Sequence, residues 1–68
     1  MIKKISKQTY KKNTFLFDKE IYKNLVIVPI KKTNNLLLDD YVYYFYFNYQ
    51  YYKTNNKQEI FDFVGGAL

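Results

Sequence analysis

The stretch Tyr41–Tyr52, YVYYFYFNYQYY, governs how the rest of the chain can be read: nine of its twelve residues are aromatic, and it carries no charge, glycine or proline. Aromatic and β-branched side chains lose rotamer freedom against a helical turn but fit a pleated surface, so the stretch predicts a strand. Side chains alternate across a strand. A continuous strand puts Tyr41, Tyr43, Phe45, Phe47, Tyr49 and Tyr51 on one face and Val42, Tyr44, Tyr46, Asn48, Gln50 and Tyr52 on the other. The first face is aromatic throughout and is expected to seek a core or a partner protein. The second is mixed and can meet water.

Beyond this strand, KTNNKQ (Lys53–Gln58) reads as a turn, and EIFDFV (Glu59–Val64) alternates acid and apolar residues. That alternation predicts a second strand pairing antiparallel with the aromatic one. Gly65 and Gly66 end it, and Ala67 and Leu68 form a short tail. Upstream, Asp39 and Asp40 interrupt the chain as a bulge or tight turn and act as charged gatekeepers beside a sticky segment. LVIVPI (Leu25–Ile30) predicts a strand apolar on both faces, with Pro29 at an edge or near the strand end because it donates no hydrogen bond. KKTNN (Lys31–Asn35) between them is turn material.

Phe17, Ile21 and Leu25 recur at i, i+4 and i+8 behind Asp18, an acceptable N-cap, and predict a short helix near residues 18–25. Thr14–Phe17 reads as a short strand. Met1–Asn13 holds five lysines and no acid, with too few apolar residues to bury a face, and is expected as a loose basic arm. KKNT at Lys11–Thr14 and KTNN at Lys32–Asn35 and Lys53–Asn56 recur at intervals of 21 residues, as in a meander with lysine-bearing turns. The expected fold is mainly β: a small antiparallel sheet, a meander of three or four strands, with the helix near 18–25. Residues 1–13 form the arm and 14–68 one small β-rich domain.

The 68 residues include no cysteine, histidine, arginine or tryptophan. Disulfides, thiolate metal sites and the usual zinc ligands are therefore excluded. A core is marginal at this length, so a companion molecule is expected to complete it. The net charge of +5 rests on lysine alone. Lysine, asparagine, tyrosine, phenylalanine and isoleucine abound; their codons are A/T-rich, which points to an AT-rich genome. Lys3 and Lys4 are followed by no apolar run, so no secretory signal is read and an intracellular or organellar location is expected. The longest apolar run, Tyr41–Phe47, is too short for a membrane-spanning helix.

Catalysis has little to work with. Ser6 has no base near it in sequence, adjacent Asp39 and Asp40 point to opposite faces of an extended chain, and Gly65–Gly66 lacks the strand–glycine–helix context of a phosphate loop. No catalytic residue, cofactor or metal is expected, and the chain is not read as an enzyme. Single-stranded nucleic acids bind by stacking bases on aromatics within a positive groove. The residues expected to do this are Tyr44, Tyr46 and Tyr52, with phosphates met by Lys3, Lys4, Lys7, Lys11, Lys12, Lys31, Lys32 and Lys53. Tyr41, Tyr43, Phe45, Phe47, Tyr49 and Tyr51 are expected to dock on protein. The resulting expectation is a small basic accessory subunit of a larger, RNA-containing assembly. The alternative is a stand-alone protein-binding module, such as a phage-encoded inhibitor acting by strand addition.

Overall fold

The computed structural model describes residues 1–65. It is mainly β: one five-stranded antiparallel sheet with a helix on each face. In chain order the elements are β1 (Lys3–Ile5), α1 (Lys7–Thr14), β2 (Glu20–Tyr22), β3 (Leu25–Lys31), β4 (Tyr41–Phe47), β5 (Gln50–Thr54) and α2 (Lys57–Val64). The strand order is β1-β5-β4-β3-β2, so β2 to β5 form a meander and β1 closes onto its far edge.

The aromatic stretch is a hairpin, not one strand. β4 and β5 are joined through Asn48 and Tyr49 alone, both in left-handed conformation at φ 52° and 64°. Positive φ at both central residues is the backbone of a type I′ turn, whose twist matches the flanking strands. Pairing across it sets Tyr46 opposite Tyr51 and Phe45 opposite Tyr52. The turn therefore reverses the facial assignment after residue 47. Tyr51 joins Tyr44 and Tyr46, whereas Tyr52 joins Tyr43, Phe45 and Phe47, and Tyr49 sits in the turn.

EIFDFV is the second correction: it is helix, within α2. Its partner role is filled by the second half of the aromatic hairpin, which leaves Ile60 and Val64 free to fall on one helical face and bury themselves. Asn56 caps the helix through its side-chain oxygen, which accepts from the Gln58 backbone N–H at 2.9 Å. Glu59 puts an acid in the first turn, where the helix dipole favours it. Gly65 ends it at φ 57°, donating its N–H to the Phe61 carbonyl at 3.0 Å. The tail expected at residues 66–68 lies outside the described residues.

The N-terminal third differs most from expectation. Residues 3–14 are not a loose arm: Lys3–Ile5 pairs with Tyr51–Lys53, and Lys7–Thr14 is helical. Ser6 starts that helix by accepting the Thr9 N–H at 3.1 Å. Tyr10 and Thr14, one turn apart, are both buried, and the Thr14 hydroxyl donates to the Tyr10 carbonyl at 2.7 Å. Phe15–Phe17, expected as strand with Thr14, is an exposed linker. Residues 18–25 form no helix. They build β2 and a tight turn at Lys23 (φ 48°), with Tyr22 opposite Leu25. A helix of two turns gains few hydrogen bonds for its nucleation cost, whereas pairing Glu20–Tyr22 against β3 satisfies that strand's open side.

β3 is the strand that LVIVPI predicts. β2 covers only Leu25–Ile27, so Pro29 falls where β3 has no neighbour on that side. The core lies between the sheet and α2, built from Leu25, Ile27, Phe45, Ile60 and Val64, with Tyr43, Phe47, Tyr52 and Phe61 packed around it. On the opposite face Val28 is fully buried, and Tyr10 and Thr14 are nearly so.

Candidate nucleic-acid interface

The face of the sheet that carries α1 collects tyrosines. Tyr51 lies 4.8 Å from Tyr46 and 4.8 Å from Tyr10, ring centre to ring centre, so three rings form one run from helix to strand. Burial, with Tyr51 beside it, raises the pKa of the Tyr10 phenol, so this ring stays neutral well past physiological pH. Tyr44 stands on the same face, two residues farther from the hairpin tip. Its register row reads Val28, Tyr44, Lys53, Lys3 across four strands.

Lysines surround this run. Lys3 and Lys53 are directly opposite one another on neighbouring strands. Like charges in that position repel. A groove of about 460 Å³ runs between α1 and the sheet, lined by Tyr10, Lys11, Thr14, Phe15, Lys19, Val26, Tyr46 and Tyr51. A second, of about 570 Å³, continues from Val26 and Tyr46 to the hairpin tips, past Lys23, Asn24, Phe47, Asn48 and Tyr49. Among the described residues no carboxylate lines either groove.

Four of the six acids are engaged elsewhere, while Asp18, beside Lys19 in the linker after α1, and Asp39, in the β3–β4 loop, are exposed. Glu20 accepts from the Lys57 ammonium at 3.0 Å and from the Tyr22 hydroxyl at 2.9 Å, which hold its carboxyl below the usual range. Glu59 is lowered likewise by the Met1 ammonium at 2.9 Å and the Thr54 hydroxyl at 2.7 Å. Asp40 is lowered by Lys31, whose ammonium lies 2.8 Å away and also reaches the Leu38 carbonyl. Asp62 accepts from the Gln58 side chain on α2 at 3.3 Å. Of the eleven lysines, only Lys31 and Lys57 form ion pairs among the described residues. Among the described residues the remaining lysines form no ion pair, and those of β5, α1 and the two grooves lie around the α1 face.

These pairs set an acid sensitivity. The carboxylates of Glu20, Asp40 and Glu59 are bonded in their charged form, so the folded protein holds their protons more weakly than the unfolded chain does. Stability is then complete above the ordinary carboxylate range and is lost as pH falls through that range and below it. The pairs are partly exposed, so each contributes modestly. Urea midpoints recorded across the acid range are expected to drop, and Glu20→Gln is expected to flatten that limb. An unchanged limb in the variant removes the Lys57–Glu20 pair from the account.

The residues singled out from sequence are redistributed by the fold. Tyr44, Tyr46, Lys3 and Lys53 come together on the α1 face, and Lys7, Lys11 and Lys12 project from α1 itself. Tyr52 does not join them. It stacks on Phe45 at 5.0 Å and meets Phe63 edge-on at 5.0 Å, inside the α2 layer. Lys4 falls on the α2 side with Tyr52, Lys31 is tied to Asp40, and Lys32 lies in the exposed β3–β4 loop. Of the six residues expected to dock on protein, Phe45 has no exposed surface and Tyr43 and Phe47 pack against the core it belongs to. Tyr41 stacks on Tyr43 at 5.9 Å, Tyr49 projects from the turn, and Tyr51 is on the other face. For Phe45, Tyr43 and Phe47 the companion surface is α2 of the same chain.

Sequence reasoning assigned Tyr51 to protein docking and passed over Tyr10, Lys19, Lys23, Asn24 and Asn48. The signals existed for two of them: Ser6 is a favoured N-cap residue and can start the helix that places Tyr10, and Asn48 is the sole turn-forming residue inside the aromatic run. Among the described residues there is no cluster of acids able to hold a metal ion, and no helix long and apolar enough to cross a membrane. Comparison with protein-family models, with curated proteins and with solved structures finds no match to this chain.

Proposed function

We propose that the chain is a non-catalytic RNA-binding accessory subunit that holds an unpaired strand on its α1 face. The observation that carries this reading is the segregation of charge: tyrosines and lysines that form no ion pair among the described residues share one face, and four of the six carboxylates are bonded away from it. Tyr44, Tyr46 and Tyr51 offer ring faces on which bases of any identity can stack. Lys3, Lys53, Lys11 and Lys19 meet the phosphates, and a phosphate between Lys3 and Lys53 relieves their repulsion. The chain has no arginine, whose rigid fork makes the commonest guanine contact, so binding is directed to the backbone and stacking surfaces.

The test is fluorescence anisotropy with a labelled single-stranded RNA of about twelve nucleotides across a salt series. If about four phosphates are neutralised, log K falls against log salt with a slope of about −3. A duplex of the same length is expected to bind more weakly, because its bases are not free to stack. Salt-independent binding, or none, overturns the reading.

A second reading, docking on protein by strand addition, has its own support. β2 is an edge strand with an open side, Ile21 on it is 71% exposed, and the linker leading into it exposes Phe15 at 74% and Leu16 at 78%. An exposed edge flanked by apolar side chains invites another strand. Mass spectrometry of whatever co-purifies, before and after nuclease treatment, separates the two: an RNA-held assembly falls apart, and a strand-added partner stays.

A further inference from the structure

The two hairpin tips of the meander stand side by side, because β3 and β4 pair along their whole length. One tip turns on Lys23 and Asn24 and the other on Asn48 and Tyr49. Between them opens the groove of about 570 Å³, within the range of about 300–1,000 Å³ typical of small-ligand sites. Its floor is Val26 and Tyr46.

Every non-glycine residue with positive φ among those described lines this one groove: Lys23 at 48°, Asn48 at 52° and Tyr49 at 64°. Asparagine tolerates that conformation, and the second central position of such a turn ordinarily takes glycine. Tyrosine there is strained, and the residue is 84% exposed, so folding recovers little from its burial. What the ring does provide is a flat apolar surface at the mouth of a cavity that also holds two amide side chains and an ammonium. Among the described residues no carboxylate lines the groove to oppose a bound anion. A flat ring, amides able both to donate and to accept, and a single cation match a nucleobase with its phosphate.

We propose that the paired hairpin tips form a subsite for one nucleotide. The base stacks on Tyr49, the amides of Asn24 and Asn48 bond its edge, and Lys23 meets the phosphate. As the terminal position of a bound strand, this subsite rests on the reading of the α1 face given above; as a site for a free nucleotide, it stands without it.

The deciding variant is Tyr49→Gly, which removes the ring and relaxes the turn. Its thermal midpoint is expected to equal or exceed that of the parent, so lost binding cannot be ascribed to lost folding. Three probes are titrated into both proteins: a twelve-nucleotide single-stranded RNA, the same oligomer with its bases removed, and adenosine monophosphate. Loss of a stacking contact is expected to weaken the intact RNA about tenfold in the variant and to leave the abasic strand unchanged. Equal binding of both intact RNA and the monophosphate by the two proteins overturns the subsite while leaving the α1-face reading in place. If the parent binds only the monophosphate, and the variant loses that binding, the subsite stands for a free nucleotide and the strand-binding reading falls. If the parent binds none of the three probes, both are overturned.

Discussion

Truncating Phe45 to alanine is expected to remove about 3–5 kcal/mol of folding stability, the range found for deleting a buried phenylalanine ring. The ring has no exposed surface, belongs to the same core cluster as Ile27, Ile60 and Val64, stacks on Tyr52 at 5.0 Å and meets Phe63 edge-on at 6.1 Å. The loss combines the transfer term with a cavity that paired strands cannot close. A domain of this size has a total stability at the low end of about 5–15 kcal/mol, so the variant is expected to be largely unfolded in moderate urea. Tyr44→Ala, one position away in the same strand, is the control. Its side chain is half-buried on the opposite face, and its loss is expected to be clearly smaller. Urea denaturation of both variants, followed by far-ultraviolet circular dichroism, makes the comparison. Equal losses would mean that the two faces of β4 are not sided as described.

The second large effect concerns binding. Replacing Tyr44 and Tyr46 together by alanine removes two ring faces from the α1 side of the sheet. Stacking contributes about 1–3 kcal/mol per base, so the pair is expected to weaken single-stranded RNA by about 30-fold or more. The salt slope should stay the same, since no lysine has been touched. Lys3→Glu with Lys53→Glu is expected to do the reverse, shallowing the slope and lowering affinity while the stacking signature persists. Tyr46 also touches Tyr51, so circular dichroism of the tyrosine variant is needed to show that the sheet is intact. A folded double variant that binds RNA like the parent would leave the tyrosine run as packing alone.

Much of the sheet was legible in local composition. LVIVPI is apolar at every position and β-branched at four of its six, the pattern of a strand covered on both faces, and β3 is flanked by a helix-bearing layer on each side. The aromatic run likewise announces strand. Other segments were ambiguous because they are short. EIFDFV does not hold a period of two, since Glu59 shares one strand face with Phe61 and Phe63 and Asp62 shares the other with Ile60 and Val64; Ile60 and Val64 stand at the helical i, i+4 spacing, but periodicity cannot separate helix from strand over so few positions. Only the shape of the surface to be covered does. Phe17, Ile21 and Leu25 make the opposite case: a helical spacing overridden by the pairing available along β3. In α1 the lysines obscure a helix whose buried side is just Tyr10 and Thr14.

The candidate site shows the same division. Unaided, the sequence determined that the chain is β-rich, that its positive charge is all lysine, and that it carries neither thiol nor imidazole, because these follow from residue identity and short-range preference. Which tyrosines share a face was decided only by the tertiary structure. A two-residue turn at Asn48 and Tyr49 shifts the alternation for everything after it, exchanging Tyr51 and Tyr52 between core and surface. Lys3 reaches Lys53 through a pairing across fifty residues, and α2 covers Phe45 from the far end of the chain. Such neighbours are fixed by which surfaces must be buried together, and no local run of residues contains that information.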